Sequence, residues 1–352
     1  METASLDFLK SLLAAPSPSG FEQPAQKVVR AYMQTFADEV RTDVHGNVIG
    51  IINPDAPYRV MLAGHCDEIG LMITHIDDNG FCYFAAIGGI DPAVLVAHRV
   101  TVHGPRGDVA GVIGRKPIHL MDEEDRKRPA KIDDMWIDIG ANKKADALKV
   151  LEVGSIATIA VPFMELRNGL VCSRGFDDKA GAFVITEALR LVSQKKPKIG
   201  VYAVSTVQEE LGLRGATTSA YGIDPAAGIA VDVGFASDCP NVDKKKVGDT
   251  GLGRGPILHR GANMNPVLQK LIEETAKKKK IPVQMQAEPR ATGTDANAIQ
   301  MNRAGAAAAL ISVPNRYMHT AVETVALKDL ESTAKLVAAV LAEIKPGTDF
   351  TP

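Results

Sequence analysis

Five side chains with the chemistry of metal ligands, His65, Asp177, Glu210, Asp232 and His319, each stand just beyond an apolar strand-like run or at the start of a helix. In a parallel α/β sheet, groups at the carboxyl ends of neighbouring strands meet in one crevice however far apart they lie in sequence. Scattered ligands can therefore form one site. Two closely spaced transition-metal ions need a bridging carboxylate, further carboxylate or imidazole ligands, and positions left open for water and substrate. This set supplies them, with Asp177 at a helix start, where unpaired backbone amides and the helix dipole also favour a carboxylate.

Glu209 precedes Glu210, and adjacent residues of an extended segment point in different directions. One carboxylate can then bind metal while Glu209 stays free as a general base toward a water whose pKa a metal lowers to about 7. Asp67, two residues after His65, suits an orienting role toward the imidazole's other ring nitrogen. Singly, each piece has a plain structural reading: a helix cap for Asp177-Asp178, a solvated face for the glutamates, a satisfied loop histidine for His319. Their conjunction at equivalent places in an alternating sheet is what points to a site.

Positioning such a set requires strands and helices in alternation. Helical spacing from Ser5 to Val40 is broken at Pro16-Ser17-Pro18-Ser19-Gly20, which predicts two helices joined by a turn. A strand pair near Thr42 to Ile52 and a buried strand at Arg59 to Gly64 lead to His65. From about Leu71 to Val161 the pattern changes to short β-prone runs punctuated by glycine, the signature of a small barrel or sandwich. A helix over Asp178 to Ser193, strands at Ile199 to Val207 and Gly228 to Val231, a helix over Asn265 to Lys280, a strand at Ala306 to Ser312 and a last helix over Leu327 to Ile344 complete the alternation. The predicted fold class is α/β, a mainly parallel sheet flanked by helices, with an inserted small β-barrel. Residues 1–69 and 163–352 form the catalytic domain and 70–162 the insert.

The 352 residues, 45% of them hydrophobic and 23% charged, describe an ordinary globular chain. A formal charge of -2 supplies no basic field for nucleic acid or an anionic membrane. No apolar run approaches the roughly 20 residues of a membrane helix, and Glu2, Asp7 and Lys10 do not suit a secretory leader. Cys66, Cys82, Cys172 and Cys239 form no C-x-x-C pair, and a reduced, cytoplasmic protein is the expectation. Gly251 to Pro256 lacks the strand and the lysine-hydroxyl ending of a phosphate loop. Ala291-Thr-Gly-Thr-Asp-Ala296 offers Thr294 or Asp295 as substrate contacts, with a structural turn an equal reading.

The chain resembles the M42 metallo-aminopeptidases in Pro16-Ser-Pro-Ser-Gly-Phe-Glu22, Gly64-His-Cys-Asp-Glu-Ile-Gly70, Gly175-Phe-Asp-Asp-Lys-Ala-Gly181, Gln208-Glu-Glu-Leu-Gly212, Asp232-Val-Gly234 and Pro314-Asn-Arg-Tyr-Met-His319. The stretches occur in family order across nearly the whole chain. The resemblance implies one divalent metal on His65, Asp177 and Asp232 and another on Asp177, Glu210 and His319, with Asp177 bridging, Glu209 as general base and Asp67 as its catalytic companion. Zinc or cobalt is implied, with manganese possible. It also implies an inserted β domain that carries dimer contacts, and dimers that can build a tetrahedral dodecamer. Cys66 stands where methionine is common, and Thr320-Ala321 where Ser-Pro is frequent; neither change removes a ligand.

The function expected is removal of N-terminal residues from short peptides. A metal-dependent amidase or deacylase of small N-acyl substrates would use the same chemistry. A non-catalytic metal-stabilised scaffold would need the ligands but not Glu209. A glycosidase is disfavoured, because its carboxylates must face each other across a sugar at about 5 to 9 Å.

Overall fold

The computed structural model describes residues 1–352. Helices α1 (Thr3–Ala14) and α2 (Gln23–Met33) flank the Pro16–Gly20 breaker. Their apolar faces, Phe8, Leu9, Leu12 and Leu13 on α1 and Ala25, Val29 and Met33 on α2, are buried. Strands β1 (Glu39–Thr42) and β2 (Val48–Ile52) form an antiparallel hairpin, and β3 (Arg59–His65) follows with His65 as its last residue.

The chain then leaves the sheet. Strands β4 (Gly70–Ile76), β5 (Cys82–Ile87), β6 (Arg99–Gly104), β7 (Gly107–Arg115), β8 (Met135–Asp138) and β9 (Ile156–Ile159) close into a barrel in the order β4-β5-β8-β7-β6-β9. Short helices α3 (Glu123–Lys127) and α4 (Lys144–Ala147) interrupt it. The barrel has its own apolar core, built around Leu71, Ile73, Phe84, Val102, Ile113 and Ile137. Strands β10 (Met164–Glu165) and β11 (Leu170–Ser173) lead back.

From there α5 (Phe176–Ser193), β12 (Gly200–Thr206), α6 (Arg214–Ile223), β13 (Ala227–Phe235), α7 (Lys244–Val247), β14 (Ile257–Gly261), α8 (Pro266–Lys279), β15 (Gln284–Glu288), α9 (Asp295–Gln300), β16 (Ala307–Asn315), β17 (Glu323–Ala326) and α10 (Leu327–Glu343) follow. The main sheet runs β1-β2-β12-β3-β13-β16-β14-β15. Its centre, β12, β3, β13 and β16, is parallel. Toward the edges the direction reverses, since β2 is antiparallel to β12 and β14 to β16. The parallel centre requires cover on both faces, and the burial of every residue of β12 reflects it. One face packs on α2, α5, α8 and α10 through Val29, Phe183, Leu268 and Leu336, with α1 lying against α2 and α5; the other packs on α6 and α9 through Ala220 and Ile299.

The sequence pattern did not predict α6, α9, β14, β15 or β17. Arg-Gly-Ala-Thr-Thr-Ser-Ala-Tyr-Gly-Ile is poor in helix formers, and α6 forms because its Ala216, Ala220 and Ile223 are buried against the sheet. The strands β14 and β15 carry exposed and polar positions and gain their place from pairing at the sheet edge.

Candidate active site

All seven residues selected from sequence meet at the carboxyl end of the parallel strands. β3 ends at His65, but Asp232 lies inside β13 rather than beyond it. Asp177 sits in the first turn of α5, which packs across β3 and β13, and its peptide bond to Asp178 is cis. Gly64 explains how closely helix and strand approach: a Cβ there would fall 2.5 Å from the backbone carbon of Gly181. Glu209 and Glu210 do not continue β12 in extended form. Gln208 has a left-handed φ of 54°, and the Gly212 and Leu213 amides both donate to the Glu209 carbonyl, so the pair occupies a tight turn. That turn, not a β pleat, sends the two carboxylates apart.

One group of donors is His65, Glu209 and Asp232; the other is Asp177, Glu210 and His319. Within each, the candidate ligand atoms lie within 4.8 Å of one another. Asp177 spans the two: Oδ1 is 3.4 Å from His65 Nε2 and Oδ2 is 3.2 Å from His319 Nε2. Glu209 Oε2 approaches His65 Nε2 at 3.6 Å, and Glu210 Oε1 approaches His319 Nε2 at 3.4 Å.

Asp67 does something the sequence did not suggest. The nearer acceptor at His65 Nδ1 is its backbone carbonyl, at 3.0 Å, with its Oδ1 at 3.5 Å. The carboxylate instead accepts the amides of Glu209 (3.0 Å) and Glu210 (3.2 Å) and the Ser19 hydroxyl (2.7 Å). It thereby ties the Glu209 turn to the loop after β3 and to the Pro16–Gly20 turn. Three further buried carboxylates hold the site in ways the sequence did not indicate. Asp178 accepts from the amides of His65 and Gly181, and Glu323 from those of Asp177 and His319. Asp295, considered as a substrate contact, is buried at the start of α9, where its Oδ2 accepts from the Thr206 hydroxyl. Glu323 carried a usable signal, a glutamate within the apolar run Val322-Glu-Thr-Val325.

The charges of these side chains do not balance by themselves. Burial, aided by neighbouring carboxylates, pushes Glu209 up to about 10 and Glu210 up to about 7, and raises Asp178, Asp232 and Glu323 well above the ordinary carboxyl range. Burial opposes charge on His65, yet Glu209, Asp177 and Asp67 outweigh it and raise its pKa. The Asp177 hydrogen bond, against burial, holds His319 up at about 9. Two imidazoles cannot neutralise so many buried carboxylates, and bound divalent cations are the usual compensation. Glu210 Oε1 fits that reading, being buried with no hydrogen-bond partner.

The sequence profile of the M42 glutamyl aminopeptidases matches residues 46–336. The chain belongs to this M42 family. A lysyl aminopeptidase of Pyrococcus furiosus is 40% identical over 349 residues, covering 98% of this chain and 99% of that protein. A TET aminopeptidase of a marine sediment Thaumarchaeota archaeon superposes with a TM-score of 0.92 at 35% identity, over 97% of this chain and 96% of that one. The Pyrococcus horikoshii TET1 peptidase, described as able to assemble into a tetrahedron or a large octahedral shell, gives 0.87 at 32% identity, over 97% and 100%. This M42 chain is a peptide hydrolase of the aminopeptidase class. None of its helices is long and apolar enough to cross a membrane.

Proposed function

We propose that the chain is a dinuclear metal-dependent aminopeptidase that removes N-terminal residues from short peptides, with residues 1–69 and 163–352 as its catalytic domain. The observation that carries this reading is Asp177, whose two oxygens each face a different imidazole between the two donor groups. His65, Asp177 and Asp232 would hold one cation and Asp177, Glu210 and His319 the other. The mixed imidazole and carboxylate donors suit zinc, cobalt or manganese. When bound, the cations supply Lewis acidity, polarising the scissile carbonyl and acidifying the attacking water.

The chain's own residues do the rest. Glu209 Oε2 takes the proton of the attacking water and passes it to the leaving amine. Asp67 holds the Glu209 and Glu210 amides, so the base and the neighbouring ligand keep a fixed relation. His65 is oriented by the Asp67 carbonyl at Nδ1 and by Asp178 at its amide.

Residues 70–162 would be a self-association domain, through which dimers assemble toward a tetrahedral dodecamer; the assembly described for the TET1 peptidase supports this. The chain's four free cysteines suit a reduced, cytoplasmic setting. The deciding experiment is a panel of aminoacyl amides and their N-acetylated forms, on protein reconstituted with zinc, cobalt or manganese. Cleavage confined to free amines and dependent on metal is expected. Preference for acylated substrates would replace the reading with a deacylase, and no metal-dependent cleavage would replace it with a scaffold.

A further inference from the structure

We propose that Glu323 is a positioning residue for the second donor group, its two carboxylate oxygens fixing Asp177 and His319 relative to each other. The inference rests on the dinuclear reading above. Glu323 Oε2 accepts the Asp177 amide and Oε1 the His319 amide, each at 2.9 Å, with only 2% of the residue exposed. These two amides belong to segments more than a hundred residues apart in sequence, so one side chain joins the start of α5 to the loop before β17.

The backbone of Glu323 is itself anchored to the segment that delivers Asp177. It opens β17, where it pairs with Ser173 of β11, four residues before Asp177. On its other side, Arg316 and Thr324 exchange backbone hydrogen bonds and close the loop that carries His319. That loop is not relaxed: Tyr317 and His319 both have left-handed φ, 63° and 60°. Such residues keep these conformations when surrounding contacts determine them. The Glu323 carboxylate is one such contact. The Gly89 carbonyl of the barrel meets His319 Nδ1, so the ring orientation is set from one side and the backbone position from the other, leaving Nε2 toward Asp177 and Glu210.

A carboxylate presents two acceptor oxygens, whereas a carboxamide presents one acceptor and one donor. Glu323→Gln must therefore point an N–H at a backbone N–H and release Asp177 or His319. Calorimetric titration of metal-free protein with cobalt, alongside cobalt visible absorption, reads the consequence without catalysis. In Glu323→Gln the ion that is weakened in His319→Ala should bind at least tenfold more weakly, and the other, which shares only Asp177 with it, should weaken less. Combining the two substitutions should add little beyond His319→Ala for that ion. Glu323→Asp, one methylene short of spanning both amides, should show the same selective loss if Glu323→Gln folds poorly.

Two ions bound with wild-type affinity and unchanged absorption in both Glu323 variants would overturn the role, as would equal weakening of both ions. Additive losses in the double variant would also overturn it. Failure of the unsubstituted protein to bind two ions would instead remove the dinuclear reading itself.

Discussion

Glu209 is the residue on which catalysis turns in this reading, because it lies beside His65 and Asp232 yet is assigned no cation. Glu209→Gln keeps its size and removes proton transfer. Turnover should fall by about a hundred- to ten-thousand-fold, while two cations still bind by calorimetry. Near-normal turnover would sink the assignment. Asp67→Ala should cost activity by a different route, since it frees the Glu209 and Glu210 amides and the Ser19 hydroxyl. A fall of tenfold or more in kcat, with weaker binding of the ion held by Glu210, is expected. At this scale the sequence was highly legible for side chains whose chemistry is itself the signal, such as His65, Asp177, Glu210, Asp232 and His319. It did not reveal what Asp178 and Glu323 hold, because the His65, Asp177 and His319 amides they accept lie on distant segments and no residue type announces an amide.

Between elements, the approach of α5 to β3 governs where Asp177 stands relative to His65. Gly64→Ala would drive a methyl into the Gly181 backbone at 2.5 Å. Overpacking of this kind costs about 1 to 3 kcal/mol, and urea denaturation should show it, together with reduced activity because His65 is the next residue. A second tie is ionic. Glu68, buried behind the site, pairs with Arg174 and with Lys179, whose ammonium is fully buried. Burial opposes ionisation of Glu68, but Arg174 and Lys179 outweigh it and hold its pKa down to about 2. With the folded pKa below the unfolded one, this contribution is complete above about pH 4.5 and is lost as pH falls toward 2. Its upper bound is on the order of 3 kcal/mol; the lowering of Lys179 to about 8 by burial is a separate cost that adds no slope in this acid window. Denaturation midpoints measured from pH 5 to pH 2 should fall across this window. Glu68→Gln should remove that share of the slope while costing about 3 to 5 kcal/mol at neutral pH, since it strands a buried cation. The longer helices and strands flanking the site were readable from periodicity and breakers; the short α9 and β17 were not, nor was α6, whose weak local preference tertiary packing overrides.

For the molecule as a whole, the dinuclear reading links cation binding to folding. A ligand present at about a thousand times its Kd stabilises the folded state by about 4 kcal/mol. Chelation should therefore abolish peptide cleavage and lower the thermal midpoint together, and both should return on adding zinc or cobalt. Light scattering should find a mass several times that of one chain, and deletion of barrel residues 70–162 should reduce it. The sequence by itself determined the class of fold, the barrel between His65 and Asp177, and the side chains that meet in the site, because hydrophobic period and residue chemistry are local properties. Tertiary structure alone decided that β2 and β14 run antiparallel to the central strands beside them, that Glu209 and Glu210 diverge at a turn, and that Asp177 faces one imidazole with each oxygen. It also decided that the barrel reaches back through Gly89 to His319. These are relations between segments far apart in the chain, set by which backbone groups pair when the layers pack, and no single segment encodes them.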